Sequence, residues 1–436
     1  MRNKNLIFIL TSLIILSWTS QGFSYAKETH QAINEHIAQN TVSGFSLNNY
    51  LMENLGFGEG VKEELNGIDA NGINVKKKIF WWLGHGGFQE DVPEQIWRLV
   101  LNMARNNNHF HNPLEVWDSA GLDDYVGPFH YTGQSLLLWA QNPNQSPGGE
   151  WSWQDAREYF YIALTGKDFT GTIVAPDKAK RDEYFARTFR GLGQQMHLVH
   201  DASVPEHVRN DIHVFKAYEG YVEDVRNEDL SLWSGWISSP LTFDKSILNI
   251  VSTNPSAPVP ISRIIDTDNY NGTNPGITAT TSIGISEYTN ANFVSADTIN
   301  ASDFPYPQIT ESTPIVERDF TNTLWNTTYP RRYYLKNCCG ETSGGQGYLL
   351  SAIDYLDYYR QKYPLLSFAL PKIPVLDVNV YSDYASLLIP RAVGYSAGLL
   401  NYFFRGEVEF SKEIYEQTTA DGYHGFVSEG QESHSQ

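Results

Sequence analysis

The run 191–219 constrains this chain more than any other segment, because it concentrates metal-ligand side chains at spacings that few backbones bring together. His197 and Asp201 are four apart, so on a helix they share one face. Pro205 then forces an exit, since the residue before a proline is pushed out of helical backbone. His207 and His213 follow in loop sequence, and Glu219 opens or rides the next helix. Imidazole and carboxylate donors without thiolate suit zinc, or alternatively manganese or iron. More donors than one ion needs imply a multinuclear centre.

Two shorter blocks offer the same ligand types beside turn-forming residues. Gly86-Gly87-Phe88-Gln89-Glu90-Asp91-Val92-Pro93 is one, and Asn108-His109-Phe110-His111-Asn112-Pro113 is the other. Thr29 reads as an N-cap ahead of His30, Ile33 and Ile37, whose spacing gives an early amphipathic helix.

Along the chain the series is an early His, then Glu-Asp-x-Pro, His-Phe-x-Asn-Pro, His-x3-Asp-x5-His and a Tyr-Glu. It resembles the zinc-dependent phospholipase C and single-strand-specific nuclease superfamily over roughly residues 27–225, with a C-terminal helical part near 346–406. The resemblance implies an all-α fold, a multi-helix bundle that holds two or three zinc ions in a cleft and hydrolyses phosphate esters. By position it implies His30, Asp91, His109, His197, Asp201, His207, His213 and Glu219 as the zinc ligands.

The first residues read as a secretory leader. Arg2 and Lys4 make a basic start, 6–16 is an apolar run, and Ser24-Tyr25-Ala26 fits a small-x-small cleavage site. The apolar run is too short for a permanent membrane span, so the expected location is secreted or periplasmic. The formal charge of −19 becomes about −21 when the leader and its two basic residues are removed. That balance argues against a broad basic surface for duplex nucleic acid or an anionic membrane. A phosphate substrate stays compatible, because three divalent ions would bring six positive charges against three carboxylate ligands.

Two cysteines, Cys338 and Cys339, are adjacent, which rules out a disulfide framework. They could close a vicinal disulfide, remain thiols or pair between chains. Helical spacing is read over 96–104, 151–164 and 182–199, completing an N-terminal helical metal-binding part, 27–226. From 227 to 345 Ser, Thr, Asn, Pro and Gly dominate, which reads as a large loop-rich insertion. Inside it 283–296 recovers helical spacing, with Glu287 and Asn290 on a surface helix or lining the cleft. Helices at 347–363 and 384–404 complete the bundle over 346–409, the second with an apolar stripe through Leu388, Ala392, Tyr395 and Leu399. Residues 410–436 form a polar tail. His85, His111, His130 and His200 are read as packing or hydrogen-bonding residues.

These readings converge on a phospholipase C-like phosphoesterase that cleaves phosphodiester bonds with metal-activated water. Asp91 serves both as ligand and as the carboxylate that orients or deprotonates the attacking water. The expected partner is a phosphate ester, either a phospholipid head group or single-stranded nucleic acid; no protein partner is expected. Two alternatives stand beside it: a single-strand nuclease or nucleotidase, and a secreted, non-catalytic binding protein with structural zinc.

Overall fold

The computed structural model describes residues 27–69, 71–92, 105–146, 148–213, 217–249, 262–273, 283–322, 327–337, 347–363, 365, 370–405, 409–418 and 424–433. The leader, the helix expected over 96–104, Cys338 and Cys339 lie outside the described residues. No helix among those described is long and apolar enough to cross a membrane.

Three helices meet at the centre. Helix α1 (Lys27–Gln39) buries His30, Ile33, Asn34 and Ile37, the face its spacing predicts. It starts ahead of Thr29, which is therefore inside the helix rather than capping it; the Thr29 hydroxyl accepts from Arg226 Nε at 3.1 Å. After α2 (Leu47–Asn54) and a two-stranded hairpin, β1 (Glu64–Ile68) with β2 (Asn74–Lys78), comes α3 (Ile79–Asp91). A further hairpin, β3 (Asp123–Val126) with β4 (Phe129–Thr132), and a single turn α4 (Leu136–Trp139) lead to α5 (Trp153–Thr165). Helix α5 is closed by a Ser152/Asp155 capping box at one end and by Gly166 at φ +78° at the other.

The third central helix is α6 (Lys178–Asp201), started by Asp177, whose side chain accepts from Lys180 N. From Thr188 to Asp201 every residue is buried, so this half of the helix is enclosed on all sides. What permits that is glycine. A Cβ on Gly86 would sit 2.1 Å from the Arg190 carbonyl, and one on Gly193 would sit 2.1 Å from the Leu83 carbonyl. Helices α3 and α6 therefore lie backbone against backbone. Asn34 of α1 ties the two together, its Nδ2 donating to Leu83 O at 3.1 Å and Gly193 O at 3.0 Å.

Beyond α6 come α7 (Tyr218–Glu228), α8 (Leu230–Ile237), the short α9 (Ser262–Ile265) and α10 (Ile285–Asn292). Helix α10 is buried at every position, so Glu287 and Asn290 lie neither on a surface helix nor in a cleft. Glu287 accepts from the backbone N–H groups of Thr267, Asn269, Tyr270 and Gly284 and from the Thr267 hydroxyl, folding that loop onto the helix.

The all-α expectation is overturned by antiparallel sheet. Strands β5 (Ile315–Asn322), β6 (Thr327–Lys336), β7 (Tyr348–Ile353) and β8 (Pro374–Val375) form a four-stranded sheet in that order. The last part of the stretch read as a loop-rich insertion thus supplies two strands, of 8 and 10 residues, and 347–363 is strand β7 followed by the short helix α11 (Asp357–Lys362) rather than one helix. All six β7 residues are buried, and a strand covered on both faces has the same continuous apolar run as a buried helix. In β6 some inward positions are polar: Arg331 is buried because it pairs with Asp377 at 2.8 Å, and Lys336 because Asn292 Oδ1 accepts from it. Alternation of apolar residues was therefore masked.

The sheet packs against α12 (Val378–Arg405), which also contacts α6. Pro390 sits inside α12, and its carbonyl accepts from Leu241 N at 2.8 Å. The polar tail forms a hairpin of β9 (Glu409–Thr418) and β10 (His424–Ser433).

Candidate metal centre

Five elements and one loop deliver the eight side chains singled out above. Helix α1 supplies His30, the last residue of α3 is Asp91, and a single 3-10 turn, Asn107–His109, presents His109. The end of α6 carries His197 and Asp201 one turn apart, and the loop that follows brings His207 and His213 back. Glu219 lies in the first turn of α7. All eight are buried, with His213 the most accessible at 9%.

They gather into three groups in which one donor atom from each residue lies within 4.8 Å of the others: His30, His197 and Asp201; Asp91, His109 and His197; and His207, His213 and Glu219. Any of these buried triads could hold a metal ion. Asp201 joins them. Its Oδ2 is 3.0 Å from His109 Nδ1 and 3.1 Å from His197 Nε2, while Oδ1 is 3.5 Å from His30 Nε2 and 3.6 Å from His207 Nδ1.

The donor set fits a metal better than it fits a hydrogen-bond network. Neither oxygen of Asp201, and neither nitrogen of His109 or His207, has a hydrogen bond of acceptable geometry despite those short separations. Atoms that approach without pointing at one another converge on a shared point. Two donors on one tetrahedral zinc with bonds of about 2.0–2.1 Å should stand roughly 3.3 Å apart. The Asp201 contacts bracket that value, and Asp91 Oδ1 lies slightly beyond it from His109 Nδ1 and from His197 Nε2, both at 3.6 Å. The third group is uneven: His213 Nε2 bonds Glu219 Oε2 at 2.5 Å, while His207 Nε2 lies 3.8 Å from Glu219 Oε1.

Behind the donors, other groups set which nitrogen faces inward. His197 Nδ1 is 2.7 Å from Gly87 O; a carbonyl only accepts, so Nδ1 carries the hydrogen and a neutral ring presents the Nε2 lone pair. His30 Nδ1 shares a hydrogen bond with His200 Nδ1 at 3.1 Å, and the His30 and His197 rings stack at 3.6 Å. His109 Nε2 faces Glu90 at 3.6 Å, and Glu90 is pinned by Arg105 at 2.6 Å and by Trp139 Nε1 at 2.9 Å. His111 bonds Ser135 Oγ at 2.7 Å and Asp266 Oδ2 at 2.9 Å, and its backbone N–H donates to His207 O at 2.9 Å, so it braces two ligand loops.

The two aspartates are driven apart electrostatically. Burial pushes Asp91 up to about 7, against the pull of His197 and His109 and with the push of Asp201 and Glu219. Burial also resists ionisation of Asp201, but the adjoining His197 and His109 rings outweigh it and hold this carboxyl well below the usual range. Burial lowers His207 to about 3. For His109 burial is overridden, chiefly by Asp201, which carries the ring up to about 10. Burial and neighbouring charge thus leave the Asp91 carboxyl nearer neutrality than that of Asp201.

The structure thus brings every expected ligand into the cluster and leaves His85 and His130 outside the three groups. His200, read as a packing or hydrogen-bonding residue, does bond His30; what sequence reasoning missed is Glu90 with Arg105, and Glu206, whose buried carboxylate adjoins His207 and has no hydrogen-bond partner among the described residues. Adjacency to a ligand was the available signal for Glu90 and Glu206. Against family models, curated proteins and solved structures, nothing matches the chain.

Proposed function

We propose that this chain is a secreted or periplasmic zinc-dependent phosphoesterase of phospholipase C type. The observation that carries the reading is the shared carboxylate Asp201, faced by four histidines from α1, α6 and two loops in a buried, thiolate-free cluster. Donors of this kind suit zinc, and a shared carboxylate suits ions held close together. His30, Asp91, His109, His197 and Asp201 would hold an adjacent pair, and His207, His213 and Glu219 a third ion. When bound, zinc supplies Lewis acidity, lowering the pKa of water toward neutrality and offsetting phosphoryl charge.

The protein groups then have distinct tasks. Asp201, kept ionised, would be a ligand whose two oxygens face different histidines, Oδ2 toward His109 and His197 and Oδ1 toward His30 and His207. Asp91 accepts and returns a proton near neutral pH, orienting the water that attacks phosphorus. With zinc bound the histidines would be neutral donors, since metal binding would displace the proton that Asp201 otherwise favours on His109, and His197 and His30 are aligned by Gly87 O and His200. The test is zinc stoichiometry of the purified mature protein together with turnover of a phosphocholine ester. Two or three zincs with turnover support the reading; no zinc and no turnover would replace it with a binding protein.

A further inference from the structure

The β3–β4 hairpin is built into the rim of the metal centre yet contributes no ligand. Its root is bonded to both ligand loops. Asp123 N donates to Asn210 Oδ1 at 2.9 Å, Asn210 Nδ2 returns a bond to Asp123 O at 2.9 Å, and Ile212 N donates to Asp124 Oδ2 at 2.9 Å. On the other side Asn107 Nδ2 donates to Thr132 O at 3.1 Å. Val126 and Tyr131 of the hairpin also pack on a small separate core of Phe110, Leu122 and Ile212. Phe110 adjoins His109 and Ile212 adjoins His213, so the hairpin and the ligand loops form one unit.

The tip carries an exposed aromatic on each face. Tyr125 lies across the strands from His130, on which it stacks, and Phe129 lies across from Val126, so the two pairs point to opposite sides. Tyr125 is 63% exposed and Phe129 64%, around a turn of Gly127 and Pro128. A recognition groove would have one apolar wall; a tip with an exposed aromatic on each side is suited to immersion. Charge narrows the occupant further. From residue 106 to residue 156 there is no lysine or arginine, while Glu115, Asp118, Asp123 and Asp124 are all present. Single-stranded nucleic acid needs cations to track its backbone beside stacking aromatics, and an anionic bilayer needs them at its surface.

We propose that the β3–β4 hairpin is an interfacial anchor that seats the metal centre on a zwitterionic phospholipid surface, with Tyr125 and Phe129 as the inserted side chains. This rests on the phosphoesterase reading and specifies its substrate class as a lipid in a bilayer. Tyrosine at a lipid–water boundary buries its ring and keeps its hydroxyl wet, and phenylalanine goes deeper.

The test uses the zinc-loaded full mature protein, phosphatidylcholine vesicles, and a short-chain phosphatidylcholine below its micellar concentration. The Y125S/F129S variant, F129S alone, which keeps the Tyr125–His130 stack, and Y358S/Y359S, which alters equally exposed tyrosines elsewhere, are compared with the parent. Losing both tip aromatics should weaken vesicle partitioning by at least about ten-fold and slow vesicle hydrolysis in parallel. Hydrolysis of the monomeric lipid, and all properties of Y358S/Y359S, should stay at the parent level. Parent protein that hydrolyses the monomer but does not partition onto vesicles, or Y125S/F129S that partitions like the parent, overturns the anchor. Partitioning that depends on the tip in a protein that hydrolyses neither lipid upholds the anchor and overturns the phosphoesterase reading. Tip-dependent binding of single-stranded DNA without vesicle binding overturns the anchor in favour of base stacking.

Discussion

Replacing Asp201 by asparagine removes one charge at the point where four histidine nitrogens converge within 3.0–3.6 Å, while leaving shape nearly unchanged. Loss of an outer partner of a ligand already costs about 10- to 100-fold in metal affinity, so loss of a shared ligand should cost no less than about 100-fold at each of two positions. At free zinc above the wild-type Kd values, each such loss withdraws about 2.7 kcal/mol of binding linkage, or roughly 5 kcal/mol together. A mature chain of about 410 residues unfolds with an entropy of roughly 0.9 kcal/mol per kelvin, so D201N should melt about 6 °C below the parent. Calorimetry in zinc buffer, with elemental analysis of the same samples, reads both quantities. The gap should shrink once both proteins are stripped by a chelator, because most of it is linkage rather than packing. A D201N protein that keeps its zinc and melts with the parent would refute Asp201 as the shared donor.

Asp91→Asn should leave folding largely intact and lower kcat by about 100-fold or more with little change in KM; parent-level turnover of a phosphocholine ester would exclude the proton-transfer role. Gly193→Ala would drive a methyl into the Leu83 carbonyl and should destabilise by about 1–3 kcal/mol in urea titration and reduce zinc content, whereas G235A, with open space around it, should do neither. His85 stacks on Trp81, and burial, then Arg190, lowers it to about 3. Its folded pKa lies below the unfolded value, so between about pH 6.5 and 3 the unfolded chain binds the extra proton and stability falls as pH falls. In chelator, His85→Phe should keep the stack and flatten the stability–pH slope in that window; an unchanged slope would show that His85 is not its source.

Much of this centre was legible because its ligands come in local pairs whose spacing carries geometry. His197 and Asp201 share a helix face at any position in any fold, and the proline after them announces the loop that returns His207. The helices α5, α6 and α12 were legible for a related reason: each carries apolar residues at helical spacing over several turns, as Phe185, Phe189, Leu192 and Met196 do in α6. The sheet was not. Arg331 and Lys336 occupy inward positions of β6 by virtue of Asp377 and Asn292, partners more than forty residues away, and no local pattern records such pairings. Glu287 misled for the same reason. An acidic residue amid polar sequence reads as surface, yet four donors from the 267–270 loop and one from Gly284 at the helix start make it the centre of a buried fold. Glu90 and Arg105 likewise become intelligible only once Trp139 and Gln194 close around them.

The backbone contact at Gly86 and Gly193 has a kinetic consequence. The donors around Asp201 come from chain positions 30, 91, 109 and 197, so they cannot meet until α1 and α3 have docked on α6. Closing loops of that length is slow compared with forming a helix. Metal capture should therefore follow tertiary assembly rather than nucleate it, and a newly folding chain would acquire ions only after the glycines have let those helices close. A refolding experiment with a zinc-sensitive dye would see uptake lag behind helix formation, and slowing the helix docking through G193A would lengthen that lag.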